Sequence, residues 1–262
     1  MAEIKFYQVD AFSGNVFGGN PAGVCPLAAE LPDETMQKIA AENNLPETAF
    51  IFTREGRLHI RWFTPETEVD LCGHATLGSA HVMFHHEGFT GQILEFQSKS
   101  GALRVKNKGD ILELDFPVSQ HEPCAEPEGL ADALGCKPSE VYASADYMAV
   151  FENEQDVINM KPDFAALKKL PLRGVIVTAK GSSCDFVSRF FAPNIGIDED
   201  PVTGSAHCLL TPYWTERLNK KLLTARQVSN RGGLLFCTLD YDRVLIAGRC
   251  ADYLKGTITL PD

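Results

Sequence analysis

The sequence repeats itself, and that limits the possible fold more than any single motif does. Arg61-Trp62-Phe63-Thr64-Pro65 is echoed by Arg189-Phe190-Phe191-Ala192-Pro193, and each runs through an acidic loop into Gly-Ser-Ala-His, 78–81 and 204–207. Segment 97–103 (QSKSGAL) is answered by 227–234 (QVSNRGGL), and 53–56 (TREG) by 178–181 (TAKG). Echoes kept in one order mark a duplication, so the chain should fold as two like halves. A length of 262 residues is enough for each half to bury its own core.

Periodicity gives each half the same element order. Strands over 4–10 and 22–27 precede a helix over 33–43, whose first turn places Asp33 and Glu34 on the positive end of the dipole. Strands 48–53 and 58–63 lead to a helix over 73–86, closed by Gly88, and then to a meander over 93–97, 102–106 and 111–116. The second half reads strand 147–152, helix 163–169, strands 174–178 and 184–191, helix 202–218, and strands 223–228, 234–239 and 243–249. Segment 117–138, rich in Pro, Glu and Ala, is the junction. The pattern predicts an α+β chain of two pseudo-symmetric halves, 1–117 and 118–262, with an active-site cleft between them. The repeat can be aligned on its tetrapeptides or on its helix starts. The second choice is preferred, because a helix start is a fixed structural point, and it sets Cys72-Gly73-His74 against Pro201-Val202-Thr203.

A net charge of −11 argues against nucleic acid and anionic membranes, which need a basic face. No run approaches the length of an apolar membrane span, and the opening MAEIKFYQVDAF alternates like a strand; a cytoplasmic location is the expectation. Eight cysteines form no CxxC, so they read as reduced, mostly buried hydrophobes. His85-His86-Glu87 lacks the i, i+4 histidines of a zinc helix, so no metal is assigned. No phosphate loop and no GxGxxG are present, and no cofactor is expected.

Chemistry concentrates at two loop-to-helix junctions, Asp70-Leu71-Cys72-Gly73-His74-Ala75-Thr76 and Asp198-Glu199-Asp200-Pro201-Val202-Thr203-Gly204-Ser205. Free backbone N–H groups and small residues there would hold a carboxylate or enolate oxygen. The plainer reading makes Asp70 and Asp200 helix caps. Glu47 stands between a helix and an apolar strand, where desolvation would raise its pKa toward the general acid/base range. The matching stretch Pro171-Leu172-Arg173-Gly174-Val175 has no carboxylate, so the duplication is asymmetric there. His74 at a helix start should be neutral, its basicity lowered by the dipole. His81 and His207 read as core, and Asn20 as an amide aimed at a ligand.

At these residues the sequence resembles the phenazine-biosynthesis F-type (PhzF-like) family, relatives of diaminopimelate epimerase. The likeness runs through Val9-Asp10-Ala11-Phe12, Phe17-Gly18-Gly19-Asn20-Pro21-Ala22, Leu45-Pro46-Glu47-Thr48-Ala49-Phe50, 61–65, 71–76 and 200–206. It implies a diaminopimelate epimerase-like fold, each half a curled, barrel-like sheet around a central helix, with about the last ten residues joining the first half. It also implies a homodimer and an isomerase that needs no cofactor. The position matching Glu47 is the proton shuttle in a dihydro-hydroxyanthranilate isomerisation, and those matching His74, Asp200 and Ser205 hold substrate and move protons. The expected site is therefore catalytic Glu47, His74 and Asp200, with Asn20, Cys72, Gly73, Ala75, Thr203, Gly204 and Ser205 binding a small carboxylic acid. Two rivals stay open: a cysteine-dependent racemase or epimerase using Cys72, and a non-catalytic binder of a metabolite or protein.

Overall fold

The computed structural model describes residues 2–260, in two compact units. One unit comprises the described residues up to Asp115 together with those from Ala247 onward; Phe116–Ile246 form the other. The first contains β1 (Ala2–Ala11), β2 (Asn20–Pro26), α1 (Asp33–Asn43), β3 (Glu47–Arg54), β4 (Arg57–Phe63), β5 (Glu68–Val69) and α2 (Gly73–His85). The meander β6 (Ile93–Ser98), β7 (Gly101–Asn107) and β8 (Leu112–Pro117) follows.

Next come β9 (Glu122–Pro123), α3 (Leu130–Leu134), β10 (Glu140–Ala143), β11 (Tyr147–Phe151), α4 (Glu154–Asn159) and α5 (Phe164–Leu167). They lead to β12 (Val175–Lys180), β13 (Phe186–Ala192), β14 (Ile197–Asp200) and α6 (Gly204–Leu218). Strands β15 (Leu222–Gln227), β16 (Gly233–Asp240) and β17 (Arg243–Gly248) close that unit's run, and β18 (Cys250–Leu260) pairs antiparallel with β1 in the first.

Strand pairing makes the duplication explicit. In the first unit the order is β18-β1-β2-β3-β4-β6-β7-β8, antiparallel except for the parallel pairs β2/β3 and β4/β6. In the second, β9-β10-β11-β12-β13-β15-β16 has its parallel pairs at β11/β12 and β13/β15, the same two places. The fold is α+β, and its sheet is not closed.

Parallel pairing explains why the central strands do not alternate. Strands β2 and β3 carry continuous runs of buried residues, as β11, β12 and β13 do, because both faces of such strands are covered. In the first unit α1 packs Met36, Ile39 and Ala40 against Cys25, Phe50 and Phe63, while α2 packs on β1, β2 and β3. Burying a side chain such as Met36 contributes about 1.5–3 kcal/mol, and Met36→Ala would cost about 2–5 kcal/mol. Helix α2 is apolar nearly all round, with His74 to Ala80 buried, as a helix inside a curled sheet requires. Its counterpart α6 stacks Trp214 on Phe186 at 5.8 Å and donates the indole N–H to Thr178 Oγ1 at 2.9 Å. Pro212 inside α6 has no N–H to give the Cys208 carbonyl, which accepts from the Ser119 amide at 3.1 Å instead.

The helix-start alignment needs one correction. Helix α2 begins after Cys72 and α6 after Thr203, so Cys72 matches Thr203 and Gly73 matches Gly204. The sequence alignment was two residues off because it started the second helix at 202, whereas α6 begins at Gly204; three residues separate strand from helix in both halves. Neither aspartate caps a helix: Asp70 is exposed and precedes Cys72 by two residues, and Asp200 ends β14.

Candidate active site

In the first unit four expected residues converge. Helix α1 ends on Asn44 in the left-handed region (φ 49°), which turns the chain through Pro46 and delivers Glu47 as the first residue of β3. Parallel pairing then sets Glu47 beside Ala22, in the strand that opens with Asn20. Asn20 is fully buried, and the turn before it depends on Gly19 (φ 66°), where a Cβ would stand 2.1 Å from the Ala11 carbonyl oxygen. Cys72 is the N-cap of α2, and His74 lies in its first turn.

His74 is the hub. Its Nε2 lies 3.1 Å from Glu47 Oε2, and both side chains are largely buried. Its Nδ1 lies 3.2 Å from the Asn20 side-chain amide and 3.5 Å from Cys72 Sγ. Burial works against charge on the imidazole, but the acidic neighbours Cys72 and Glu47 reverse this and hold its pKa well above the ordinary value. The Cys72 thiol is pushed up to about 11, by burial first and then by the Glu47 charge, so it keeps its proton near neutrality. With the thiol protonated, the Glu47 carboxylate is the charge left to oppose burial at His74. That charge, 3.1 Å from Nε2, works against the neutral His74 expected from the helix dipole. The structure sets the Asn20 amide nitrogen against Nδ1, the arrangement for an imidazole unprotonated there; an imidazolium, which donates from both nitrogens, requires the Asn20 amide to be turned over.

The donor atoms of Glu47, Cys72 and His74 lie within 4.8 Å of one another, close enough to ligate a metal. A metal there would have to displace the thiol proton and any proton on the imidazole nitrogen it takes. Proton transfer is the chemistry this set supports. The first turn of α2 adds backbone donors at Gly73 and His74, while the Ala75 amide faces the Cys72 sulfur.

The second unit assembles the other expected residues. Thr203, the N-cap of α6, does not cap with its hydroxyl but donates it to Asp200 Oδ2. Gln227, buried at the end of β15, secures this turn: its Oε1 accepts from the Thr203 amide at 2.9 Å and its Nε2 donates to the Asp200 carbonyl at 2.7 Å. Ser205 is exposed and accepts from Arg173 Nη2 at 3.2 Å, while Gly204 is buried. Arg173 is itself paired with buried Asp146 and lies over the Phe190 ring. Sequence reading gave no role to Gln227, Arg173 or Asp146; Gln227 appeared only in the 227–234 echo and Arg173 only in the 171–175 stretch that lacks a carboxylate.

Register shows what became of Glu47 in the duplication. Thr48 pairs with Phe63 and Val175 with Phe191, so Gly174 occupies the position of Glu47. A Cβ there would meet the Phe191 carbonyl oxygen at 2.6 Å, so this position excludes any side chain. His207 is core: Nδ1 donates to the Thr203 carbonyl at 2.8 Å, and burial lowers its pKa to about 4. His81, by contrast, is only partly buried and pairs with Asp252, which corrects its assignment to the core. Cys208 lies one turn into α6 with Sγ toward the Gly204 carbonyl, so it is not the counterpart of Cys72.

Residues 9–256 match the family described as phenazine biosynthesis-like protein. The chain belongs to this PhzF-like isomerase family. It is 52% identical over 258 residues to an uncharacterized isomerase of Pseudomonas aeruginosa, covering 98% of this chain and all of that one. A crystal structure of a PhzF-family protein from Enterococcus faecalis superposes with a TM-score of 0.97 at 48% identity, covering 99% and 100% of the two chains. A hydroxyproline epimerase from Agrobacterium vitis shares the fold alone, with a TM-score of 0.63 at 9% identity over 99% and 93%. Among the described residues of this PhzF-like chain no helix is long and apolar enough to cross a membrane.

Proposed function

We propose that this PhzF-like chain is a cofactor-independent isomerase that moves a proton on a small, cyclic or conjugated carboxylic acid, with Glu47 as the acid/base. The observation that carries this reading is the buried Glu47–His74 pair at 3.1 Å. Glu47 accepts a proton from a carbon conjugated with the substrate carboxyl, and the electron pair left behind delocalises into an enolate-like anion. The His74 imidazolium and the α2 backbone donors stabilise that anion. Glu47 then returns the proton to another carbon of the conjugated system, so the substrate's atoms and electrons are conserved. Asp200 and Ser205 are carried over from the family resemblance as further site residues, and so is a homodimer.

A racemase using Cys72 is disfavoured on two counts. The thiol's pKa is pushed up to about 11, and Thr203 stands where a second thiol would be needed. The test is solvent deuterium uptake, followed by NMR, across a panel of dienyl, cyclic and aliphatic carboxylates. Wild type should label at least one conjugated acid and Glu47→Gln should label none while still binding it; equal labelling by the variant would remove Glu47 from the mechanism.

A further inference from the structure

Three donors of the first unit meet at the far end of α2, outside the site just described. His81 lies in the last turns of α2, and His86 is the residue that ends it, with φ −122°. On an ideal helix, residues five apart point about 140° from each other, so the pair cannot share a ligand while both are helical. The break at His86 swings its ring back, and the two rings come to 6.0 Å centroid to centroid. Strand β18 supplies the third group. A bulge between Gln8 and Val9 of β1 makes Tyr253 an extra residue, since Leu254 faces Gln8 and Asp252 faces Val9. A bulge re-aims the neighbouring side chain, and here Asp252 meets both histidines.

The convergence is tight. His81 Nε2 lies 3.0 Å from Asp252 Oδ1, and His86 Nε2 lies 3.0 Å from both Oδ1 and Oδ2. The donor atoms of all three residues lie within 4.8 Å of one another. Metal–ligand bonds of about 2.0–2.2 Å to two imidazoles and a carboxylate place the donors about 3–3.4 Å apart, so small side-chain shifts would seat an ion. Neighbours fix the rings: His86 stacks on Tyr7 at 5.1 Å, and the Tyr7 hydroxyl donates to Glu87 at 2.7 Å. His81 rests against His85 at 4.4 Å. Asp252 is half exposed, which leaves a route in and room for water to complete the coordination.

We propose that His81, His86 and Asp252 form a site for a divalent transition cation, of the zinc, cobalt or nickel class, that clips β18 to the end of α2. Two imidazoles and one carboxylate favour these ions over magnesium or calcium, which prefer all-oxygen shells. The clip is structural. It spans 171 residues of sequence between His81 and Asp252 and ties the C-terminal strand to the helix that opens with Cys72 and His74.

The test titrates tag-free, full-length protein with cobalt(II) and zinc(II). The expected result is one equivalent of cobalt with ligand-field bands but no thiolate charge-transfer band, and a rise in melting temperature with zinc. His86→Ala and Asp252→Asn should weaken binding by at least about 100-fold, whereas Cys72→Ser should leave it unchanged. Because a variant that fails to fold cannot be titrated, the position of the ion is also read from cobalt anomalous scattering in wild-type crystals. Binding lost in Cys72→Ser, anomalous density elsewhere, or no binding at all would overturn the proposal and leave Asp252 as a hydrogen-bond acceptor for two neutral histidines.

Discussion

Glu47→Gln should uncouple two properties that the structure ties together, proton transfer and the charge on His74. Glutamine keeps the shape and one oxygen but removes the negative charge 3.1 Å from His74 Nε2. At an effective dielectric of about 20, that carboxylate–imidazolium attraction is about 5 kcal/mol before the cost of burial is set against it. With the charge gone, burial is the largest influence left on the imidazole and it lowers the pKa, so His74 should become neutral near neutrality. The Cys72 thiol, raised in part by the same carboxylate, should fall below about 11. Loss of a positioned acid/base is worth about 100- to 10,000-fold in rate, or about 3–5 kcal/mol of barrier. The large end is expected, because the duplicated position is Gly174 and holds no substitute carboxylate. The assay is an NMR titration of the His74 ring beside substrate turnover. A His74 titration identical in wild type and Glu47→Gln would refute the coupling.

Three other outcomes are expected. Gly174→Ala should destabilise by about 1–3 kcal/mol, read from the denaturant midpoint, because its Cβ would stand 2.6 Å from the Phe191 carbonyl oxygen. His207, with its pKa lowered to about 4, binds its proton less readily folded than unfolded; stability should therefore fall as pH drops from about 6.5 to 4, by about 3 kcal/mol in all, and His207→Gln should flatten that slope. Cys72→Ser should keep proton transfer within about tenfold of wild type, since the thiol is protonated at working pH; loss of all exchange would restore the racemase reading.

Much of this was legible in the sequence because the duplication carries it. Both long helices and the central strands fell within two residues of where periodicity put them, since strongly apolar runs closed by Gly or Asn leave little choice. Strand β18 was not read from periodicity: CADYLKGTITL is largely exposed and acquires its conformation by pairing along β1. Helix α4 was missed because only Val157 is buried in it, too little for a periodic signal. Asn20, Glu47, Cys72 and His74 were singled out separately, but their meeting depends on the parallel β2/β3 register, which no local pattern encodes. The expectation of a neutral His74 left Glu47 out for the same reason, because that partner is 27 positions away in sequence. Equally, the His81–His86–Asp252 cluster needs a helix break and a bulge that spacing rules do not contain.

The central claim is that one carboxylate, Glu47, takes a proton from the substrate and gives it back. It is tested most directly by single turnover of a conjugated acid deuterated at the carbon that loses its proton. The account predicts that part of the deuterium reappears at the new carbon in wild type, and that Glu47→Gln forms no product. Complete loss of the label in wild type, or product formed by the variant at the wild-type rate, would contradict it.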